Sequence, residues 1–322
     1  MEHFDGRLAV VTGGGTGMGR ELIRQLVAEG CSVAMCDVSD DAMQESRTLA
    51  LADASPSVTV STFVADVSDE TQLIAFREHV KAAHRTETLN LLFNNAGIGG
   101  GGSVVKDRRE EWDKVFAVCW SGVYLGTRTF LPMLLASDEG HVVNTSSVNG
   151  FWACLGPDGA HTAYSAAKFA VKGFTEALIV DFRVNAPHLR ASVVMPGHIG
   201  TSIVFNSGQY FDRHPKDLTE ENLTQIRERL TARGLDVSGA SDEDIRTLVI
   251  GQAESFRDNA PTTASEAATI ILDGVRNNEW RILVGADAVI ADTLVRRSPT
   301  DAYERSFMAE FRAQQVFDFI PD

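Results

Sequence analysis

The sequence predicts an α/β fold: a doubly wound parallel sheet of about seven strands, with helices on both faces. Three observations support this prediction. Short apolar segments alternate with longer segments of helical periodicity from residue 7 to about residue 285. A glycine-rich segment separates the first apolar segment from the first helix, and no stretch of the chain repeats another. Repeated strand–helix–strand units form parallel sheets whose strands are buried on both faces.

Each element is predicted from its own residues: strands from short apolar runs, and helices from apolar residues recurring at intervals of three and four. The first strand covers 7–11, and the first helix covers 18–29 and ends before Gly30. The other strands are predicted at 32–36, 58–64, 89–93, 140–145, 190–195 and 281–284. The other helices are predicted at 40–52, 70–84, 110–135, 163–183 and 264–275. Pro132 must lie near the end of its helix, because proline removes a helical hydrogen bond.

Two segments depart from this alternation, but neither divides the chain, so we expect residues 1–322 to form a single domain. Residues 202–261 are polar, charged and helix-prone, and they predict a helical insertion before the last strand. Residues 286–322 are expected to form a C-terminal tail with some helical character.

The composition argues against several functions. The net charge is −15, from 29 basic and 44 acidic residues, so nucleic acid and anionic membrane surfaces are not expected partners. No apolar run approaches the ~20 residues that span a bilayer. Residues 1–11 lack the basic and apolar regions of a secretory signal. The four cysteines form no CxxC pair, and no Cys/His cluster has zinc spacing, so we expect a cytoplasmic protein without a structural metal.

A glycine-rich loop predicts a dinucleotide site. Residues 12–19 (TGGGTGMG) lie between the first strand and the first helix, where glycines let the backbone turn sharply and approach a pyrophosphate. The N-terminus of the helix behind the loop supplies free N–H groups and the positive end of a dipole. The predicted contacts from this loop are Gly13, Thr16, Gly17, Met18 and Gly19.

An acidic residue ends the second strand. Asp37 lies about 20 residues beyond the loop, where a carboxylate can accept hydrogen bonds from both hydroxyls of an adenosine ribose. The same charge repels a 2′-phosphate, and neither Thr16 nor Val38 offers a compensating positive charge. The sequence therefore favours NAD over NADP.

Six motifs follow one another in the first two thirds of the chain. They are the Gly13-x3-Gly17-x-Gly19 loop, Asp66-Val67, NNAG at 94–97, NTSSVNG at 144–150, YSAAK at 164–168 and PGHIGT at 196–201. Together they resemble the motifs of the short-chain dehydrogenase/reductase family. The resemblance implies a single dinucleotide-binding catalytic domain with a Rossmann-like sheet in the order 3-2-1-4-5-6-7. It also implies a homodimer or homotetramer formed through the helices 110–135 and 163–183. It adds these cofactor contacts: Asp66, Val67, Asn95, Ala96, Gly97, Tyr164, Lys168, Pro196, Gly197, Ile199 and Thr201.

The resemblance assigns catalysis to Ser147, Tyr164 and Lys168, and these residue types suit that chemistry. Tyr164 and Lys168 are four residues apart, so they share one face of a helix. A free tyrosine has a pKa of about 10, and a neighbouring ammonium lowers it toward the range in which a base works well at neutral pH. We therefore expect Tyr164 to be the acid–base residue and Ser147 to hold the substrate oxygen by a hydrogen bond. Lys168 is expected to bind the nicotinamide ribose as well.

Two features depart from the family pattern. Cys119 stands where the family has an asparagine that is thought to hold a water in a proton relay to Lys168. A thiol is a poor hydrogen-bond partner. Three interpretations are open: the relay takes another route, turnover is slower, or Cys119 is simply a small buried residue. The gap of 17 residues between Ser147 and Tyr164 is about four longer than usual. Trp152 in this gap is expected to line the substrate pocket, with plain packing as the alternative.

The insertion at 202–261 falls where the family has its variable substrate-binding loop. Its aromatic residues Phe205, Tyr210 and Phe211 are candidates to close over an apolar substrate. A lid that orders on cofactor binding is one interpretation, and a contact between subunits is the other.

The leading hypothesis is an NAD-dependent oxidoreductase that transfers a hydride between NAD(H) and a secondary alcohol or ketone. A medium-sized hydrophobic substrate, steroid-like or terpenoid, would suit an apolar pocket. The alternative is a catalytically weak NAD-binding sensor or scaffold, which Cys119 favours and the intact catalytic residues oppose. An epimerase or dehydratase fits poorly, because the extended relatives with such chemistry resemble TGxxGxxG at the loop. Fold alone does not fix function, so the hypothesis depends on the site residues.

Overall fold

Seven parallel strands form the central sheet of this computed structural model, which describes residues 1–52, 54–154, 159–211, 213–214, 217–232 and 235–313. Counting a second, two-stranded sheet, the described residues form nine strands: β1 (Leu8–Thr12), β2 (Ser32–Asp37), β3 (Val60–Val64), β4 (Leu91–Asn94), β5 (Gly140–Thr145), β6 (Leu189–Pro196), β7 (Ile199–Gly200), β8 (Thr262–Thr263) and β9 (Arg281–Val284). The central sheet has the order β3-β2-β1-β4-β5-β6-β9, and β7 pairs with β8 in a separate two-stranded sheet. The predicted fold class and strand order are confirmed.

Helices connect the strands and cover both faces of the sheet. They are α1 (Gly17–Ala28), α2 (Asp40–Leu51), α3 (Glu70–His84), α4 (Arg109–Phe116), α5 (Gly122–Leu135), α6 (Thr162–Asn185), α7 (Ile203–Tyr210), α8 (Glu220–Ala232), α9 (Asp242–Asp258), α10 (Ala264–Arg276), α11 (Ala286–Arg297) and α12 (Arg305–Ala313). A 3₁₀ turn covers Val148–Gly150.

The side chains of β1 alternate between two layers of the core. All five residues of β1 are buried. Ala9 and Val11 belong to the cluster that includes α1 and α10, whereas Leu8 and Val10 belong to the cluster that includes α3, α5 and α6. A strand buried on both faces has no polar face, which is why β1 is a continuous apolar run in the sequence.

The helix predicted at 110–135 is interrupted, and this is a correction to the predicted elements. α4 ends at Phe116, a π-helical turn covers Ala117–Ser121, and α5 follows directly. Such a turn adds one residue to the hydrogen-bonded ring, and the apolar periodicity of the sequence does not reveal it. The turn carries Cys119, whose Sγ accepts the N–H of Ile98 at 3.5 Å and donates to its carbonyl at 3.2 Å.

The segment 202–261 forms α7, α8 and α9 before the last strand of the sheet. α8 and α9 pack against each other through a small apolar cluster of their own. Its buried members are Leu218, Leu223, Leu230 and Ile245. Because this cluster is separate from the two layers of the sheet, α8 and α9 form a satellite of the main core.

The C-terminal helices α11 and α12 pack on the segment that follows β5, where Trp152 is fully buried between them. The expectation that Trp152 lines the substrate pocket is therefore wrong, because its side chain meets other core side chains instead of open space. Residues 314–322 of the predicted tail lie outside the described residues. Across the described ranges, no helix is both long and apolar enough to cross a membrane.

Candidate active site

A cleft lies at the carboxyl ends of β1, β2 and β4, where the strand order of the sheet reverses direction. This is the position at which open α/β sheets bind ligands. The cavity has a volume of about 680 Å³. Many of the predicted cofactor contacts line it: Gly13, Thr16, Gly17, Met18, Asp37, Asp66, Val67, Asn95, Ala96, Gly97 and Thr201.

Two glycines of the loop have backbone conformations that other residues rarely adopt. Gly13 has φ +67° and Gly17 has φ +55°. A Cβ on Gly13 would lie 2.8 Å from Cα of Ala96, and a Cβ on Gly19 would lie 2.0 Å from the Gly13 carbonyl oxygen. Gly19 is not among the described residues that line the cavity. Because it has no side chain, α1 can start directly beneath the loop.

The start of α1 is open toward the cleft. Thr16 is the N-cap residue, but its side chain makes no capping bond, and the first turn carries no acidic residue. The free N–H groups and the positive end of the dipole are thus not neutralised by the helix itself. These features suit a bound pyrophosphate.

Asn95 fixes the loop against the neighbouring strand. Its Nδ2 donates to the carbonyls of Thr12 at 3.1 Å and Gly13 at 3.3 Å. The Thr12 hydroxyl in turn accepts the backbone N–H groups of Asn95 at 3.0 Å and Ala96 at 3.1 Å. The sequence motif pointed to Asn95 as a cofactor contact, and it did not reveal this bracing of the glycine loop.

The end of the cleft beyond Asp37 is acidic. Asp37, Asp40, Asp41 and Asp66 all line it, and the described lining residues include no lysine or arginine. The Asp37 carboxylate accepts the N–H of Gly15 at 2.9 Å. This bond holds the carboxylate in place beside the loop.

Helix α7 closes one side of the cleft through three polar contacts. Asn206 Nδ2 donates to the Thr16 hydroxyl at 2.8 Å, and the Gly99 N–H donates to the Ser207 hydroxyl at 2.8 Å. The Tyr210 hydroxyl donates to the Asp66 carboxylate at 3.2 Å. Tyr210, one of the aromatic candidates named from the sequence, lines the cleft. Three other lining residues of this helix escaped the sequence analysis, since only their place in the insertion marks them. They are Ile203, Asn206 and Gln209.

The predicted catalytic side chains come together at the start of α6. The Lys168 ammonium donates to the Thr145 carbonyl at 2.8 Å and lies 5.3 Å from the centre of the Tyr164 ring. Ser147 precedes the 3₁₀ turn, and its side chain lies near enough to the Tyr164 hydroxyl to lower the pKa of that phenol. None of the three is among the described residues that line the main cavity. Lys168 lies close behind the cavity wall, because a Cβ on Gly97 would be 3.7 Å from Lys168 Nζ.

Burial determines the ionisation of this group. It raises the pKa of Tyr164, Cys119 raises it further, and the hydrogen bond with Ser147 lowers it. Burial also lowers the pKa of Lys168. The sequence analysis expected a lowered pKa for Tyr164, whereas the net direction in the protein on its own is upward, because desolvation of the phenolate is the largest effect.

A histidine lies beside Tyr164. The ring centres of His161 and Tyr164 are 4.8 Å apart. Burial lowers the pKa of His161 to about 4, so the imidazole is neutral at pH 7. It adds no charge to the site.

Three further predicted cofactor residues lie outside the cavity. Pro196 ends β6, Gly197 follows it and Ile199 is buried, and none is among the described lining residues. Gly197 packs against Asp287, since a Cβ there would lie 2.3 Å from both carboxylate oxygens. Asp287 also accepts the N–H of His198 at 2.6 Å. This buried carboxylate fixes the loop that leads to Thr201, and the family motif gave no signal for it.

Comparison with known proteins identifies the family. Residues 7–209 match the family described as short chain dehydrogenase. The chain belongs to the short-chain dehydrogenase family. It is therefore an oxidoreductase of the class that acts on CH–OH donors with a nicotinamide cofactor.

Three relatives indicate the range of this family. The oxidoreductase SadH of Mycobacterium tuberculosis is 33% identical over 297 residues, which are 92% of this chain and 92% of SadH. Levodione reductase of Leifsonia aquatica is 34% identical over 221 residues, 68% of this chain and 79% of the reductase. The 3-alpha-(or 20-beta)-hydroxysteroid dehydrogenase of Mycobacterium tuberculosis is 30% identical over 240 residues, 74% of this chain and 84% of that enzyme.

Two solved structures hold different cofactors. A short-chain dehydrogenase/reductase from Burkholderia phymatum in complex with NAD is 26% identical, covers 94% of this chain and 96% of its own, and has a TM-score of 0.73. A metagenomic short-chain oxidoreductase in complex with NADP is 31% identical, covers 60% of this chain and 83% of its own, and has a TM-score of 0.53. Both NAD and NADP thus occur among structures similar to this chain.

Proposed function

We propose that this short-chain dehydrogenase interconverts a secondary alcohol and a ketone with NAD(H). The observation that carries the proposal is the group formed by Ser147, Tyr164 and Lys168, of which Lys168 lies directly behind Gly97 of the cofactor cleft. A hydroxyl, a phenol and an ammonium at this place are the groups needed to hold a substrate oxygen and move its proton.

The residues of the cleft fit a dinucleotide. The glycine loop leaves room that side chains would fill, and the uncapped N-terminus of α1 faces it. We assign the pyrophosphate to Gly13, Thr16, Gly17 and Met18, with Gly19 acting by packing. The adenosine lies between Asp37 on one side and Asp66 and Val67 on the other.

The charge of the cleft favours NAD over NADP. Four aspartates surround the position expected for the adenosine ribose, and the described lining offers no cation to neutralise a 2′-phosphate. Arg20 lies near the loop, but its guanidinium donates to the Gly15 carbonyl at 2.7 Å and to Glu45 at 2.7 Å. Its position is therefore fixed by the protein itself.

When bound, the nicotinamide donates or accepts the hydride. Tyr164 gives its proton to the carbonyl oxygen in reduction and removes the hydroxyl proton in oxidation. Ser147 donates a hydrogen bond to the same oxygen. Lys168 supplies a positive charge beside the phenolate that forms, and its bond to Thr145 holds it there. The positive charge of an oxidised nicotinamide favours the phenolate in the same way.

Two of the three aromatic candidates in the insertion favour a hydrophobic substrate. The Phe211 ring lies 3.0 Å from the position of a Cβ on Gly100, and the Tyr210 and Phe211 ring centres are 5.6 Å apart. Tyr210 lines the cleft on the side of α7, and Phe211 packs edge-on against it. Relatives named for levodione and hydroxysteroids support a cyclic ketone or alcohol of medium size.

The proposed assembly is a homodimer or homotetramer. Large apolar side chains are exposed on the outer faces of α5 and α6. They include Tyr124, Leu135, Phe169, Val180 and Val184. Exposed apolar patches of this kind mark contact surfaces, and light scattering of the purified protein would give its mass.

The test of the proposed function is a titration with NADH and NADPH, followed by a screen of ketones and secondary alcohols. The panel includes levodione and 3- or 20-ketosteroids. We expect turnover with NADH and little with NADPH. NADH binding without turnover on the whole panel would instead favour a sensor or scaffold, for which the replacement of the usual asparagine by Cys119 is the specific argument.

A further inference from the structure

The C-terminal part of the chain packs directly on the segment that carries Ser147. Trp152 lies five residues after Ser147 and is fully buried. Its Nε1 donates a 2.8 Å hydrogen bond to the carbonyl of Ala302. Its ring stacks on Phe311 of α12, with ring centres 4.6 Å apart and planes 14° apart. The indole is thus fixed both by a polar contact and by a ring contact.

Asn149 connects this anchored segment to the catalytic serine. The buried Asn149 side chain donates to the carbonyls of Trp152 at 3.0 Å and Cys154 at 3.1 Å. Its backbone N–H donates to the Ser147 hydroxyl oxygen at 3.1 Å. A shift of Trp152 would therefore move the group that orients the Ser147 hydroxyl.

The opposite side of the turn has no room to move. Ser146 Oγ donates to the carbonyl of Lys168 at 2.7 Å. A Cβ on Gly150 would lie 2.2 Å from Ser146 Oγ and 2.8 Å from the Lys168 carbonyl oxygen. The turn is therefore pressed against α6, and the C-terminal segment closes its other side.

We propose that Trp152 is a positioning residue through which residues 302–311 fix the direction of the Ser147 hydroxyl. The inference rests on the proposed function, because it takes Ser147 as the donor to the substrate oxygen. The partners of the Trp152 indole, Ala302 and Phe311, lie beyond residue 209, where the family match ends. The C-terminal segment thus sets the geometry of a site that the family motifs describe only in part.

The test compares the same substitution, phenylalanine to leucine, at two positions of the full chain. Phe311→Leu removes the ring stacked on Trp152, and Phe76→Leu changes an equally buried phenylalanine of α3 in a different cluster of the core. For each variant we would measure amide hydrogen exchange of residues 146–154, NADH affinity, kcat and KM with levodione and a 3-ketosteroid, and the thermal midpoint. Trp152→Phe, which loses the bond to Ala302, provides a second variant if Phe311→Leu does not fold.

We expect Phe311→Leu and Trp152→Phe to speed exchange in 146–154 and to lower kcat about 10–100-fold, as a small misplacement of a catalytic group does. NADH affinity should stay within about twofold, and Phe76→Leu should lower the thermal midpoint without changing either kcat or local exchange. Unchanged exchange in 146–154, or a loss of kcat no larger than that of Phe76→Leu, would overturn the proposal. If the unaltered protein reduces no ketone of the panel, the proposed function fails, and the exchange data still decide whether the C-terminal segment holds the turn.

Discussion

The ammonium of Lys168 lies 5.3 Å from the ring centre of Tyr164, yet the pKa of that phenol is raised and not lowered. Desolvation by the surrounding core is the dominant cause, and the hydrogen bond with Ser147 acts against it. The protein on its own therefore keeps Tyr164 protonated at neutral pH. A protonated phenol is the form that donates a proton to a ketone, and the charge of an oxidised nicotinamide would favour its release in the other direction.

Tyr164→Phe should abolish turnover while leaving NADH binding intact. The variant removes one hydroxyl that is bonded to Ser147 and preserves the ring packing beside Lys168. General acid–base residues contribute about 10²–10⁴-fold to rate, so kcat should fall by at least that lower figure. Steady-state kinetics measure the loss of turnover, and a fluorescence titration with NADH measures cofactor binding. Turnover near that of the unaltered protein would remove Tyr164 from the mechanism.

Gly19→Ala should prevent NADH binding. Its new Cβ would lie 2.0 Å from the carbonyl oxygen of Gly13, so the loop or the start of α1 must shift. Gly173→Ala is the matched control, because a Cβ there meets nothing within 4 Å and α6 gains an alanine. The control should raise the unfolding free energy by about 0.5–1 kcal/mol. Fluorescence titration and denaturant unfolding separate the effects, and unimpaired NADH binding by Gly19→Ala would contradict the geometry of the loop.

Asp37→Asn should weaken the preference for NADH over NADPH by about tenfold or more, since it removes a negative charge from the site expected for a 2′-phosphate. The amide oxygen can still accept the N–H of Gly15, which the carboxylate accepts at 2.9 Å. Asp41→Asn removes the charge of another aspartate that lines the same cleft, and it serves as the comparison. The ratio of kcat/KM values for the two cofactors is the measurement. A protein that already prefers NADPH before substitution would show the assignment of Asp37 to be wrong.

Cys119→Ser should keep turnover within a few-fold, because a hydroxyl can take over both contacts of the thiol with the backbone of Ile98. Cys119→Asn places a larger side chain in a site with no exposed surface and should cost about 1–3 kcal/mol of stability. Thermal unfolding and kcat are measured for both variants. A rise in kcat for Cys119→Asn without loss of stability would instead indicate that the usual relay residue can be restored here.

His141 should make the protein less stable as the pH falls below neutrality. Burial lowers the pKa of His141 to about 3, whereas the unfolded chain has a pKa near 6.5. Between these values the unfolded state binds the extra proton, so unfolding becomes easier as the pH decreases. One group contributes about 1.4 kcal/mol per pH unit. Between pH 6.5 and 5.0 the unaltered protein should thus lose about 1.7 kcal/mol more than His141→Gln, because the unfolded histidine is already half protonated at pH 6.5.

Denaturant unfolding at several pH values tests the His141 prediction. The glutamine side chain can keep a hydrogen bond to Ser192, which the histidine ring contacts at 2.7 Å. The comparison therefore isolates the titration from the loss of a buried contact. Parallel stability curves for the two proteins would show that His141 titrates normally.

The sheet could be predicted from the sequence, because each strand carries its own apolar run and the motifs fix the order of the strands. The conformation of the glycine loop could also be predicted, because Gly13 and Gly17 have the positive φ that glycine favours. The π turn at Cys119 was missed because one additional residue in a helical ring leaves no trace in apolar periodicity.

Contacts between distant segments were also invisible in the sequence. Asp287 holds the loop at His198, and Ala302 accepts a bond from Trp152. In each pair the partners are far apart in the chain, and only folding brings them together. The direction of the pKa shift of Tyr164 could not be predicted for the same reason. It depends on how many side chains from distant segments pack around the phenol and exclude water.

The bond between Trp152 and Ala302 joins residues that are 150 positions apart. During synthesis, all seven strands of the central sheet are made before residue 302 is added. Since domains made on the ribosome begin to fold from the N-terminus, the growing chain can build its nucleotide cleft while the serine turn still lacks this support. The order of translation would then make cofactor binding an early event and full catalytic competence a late one.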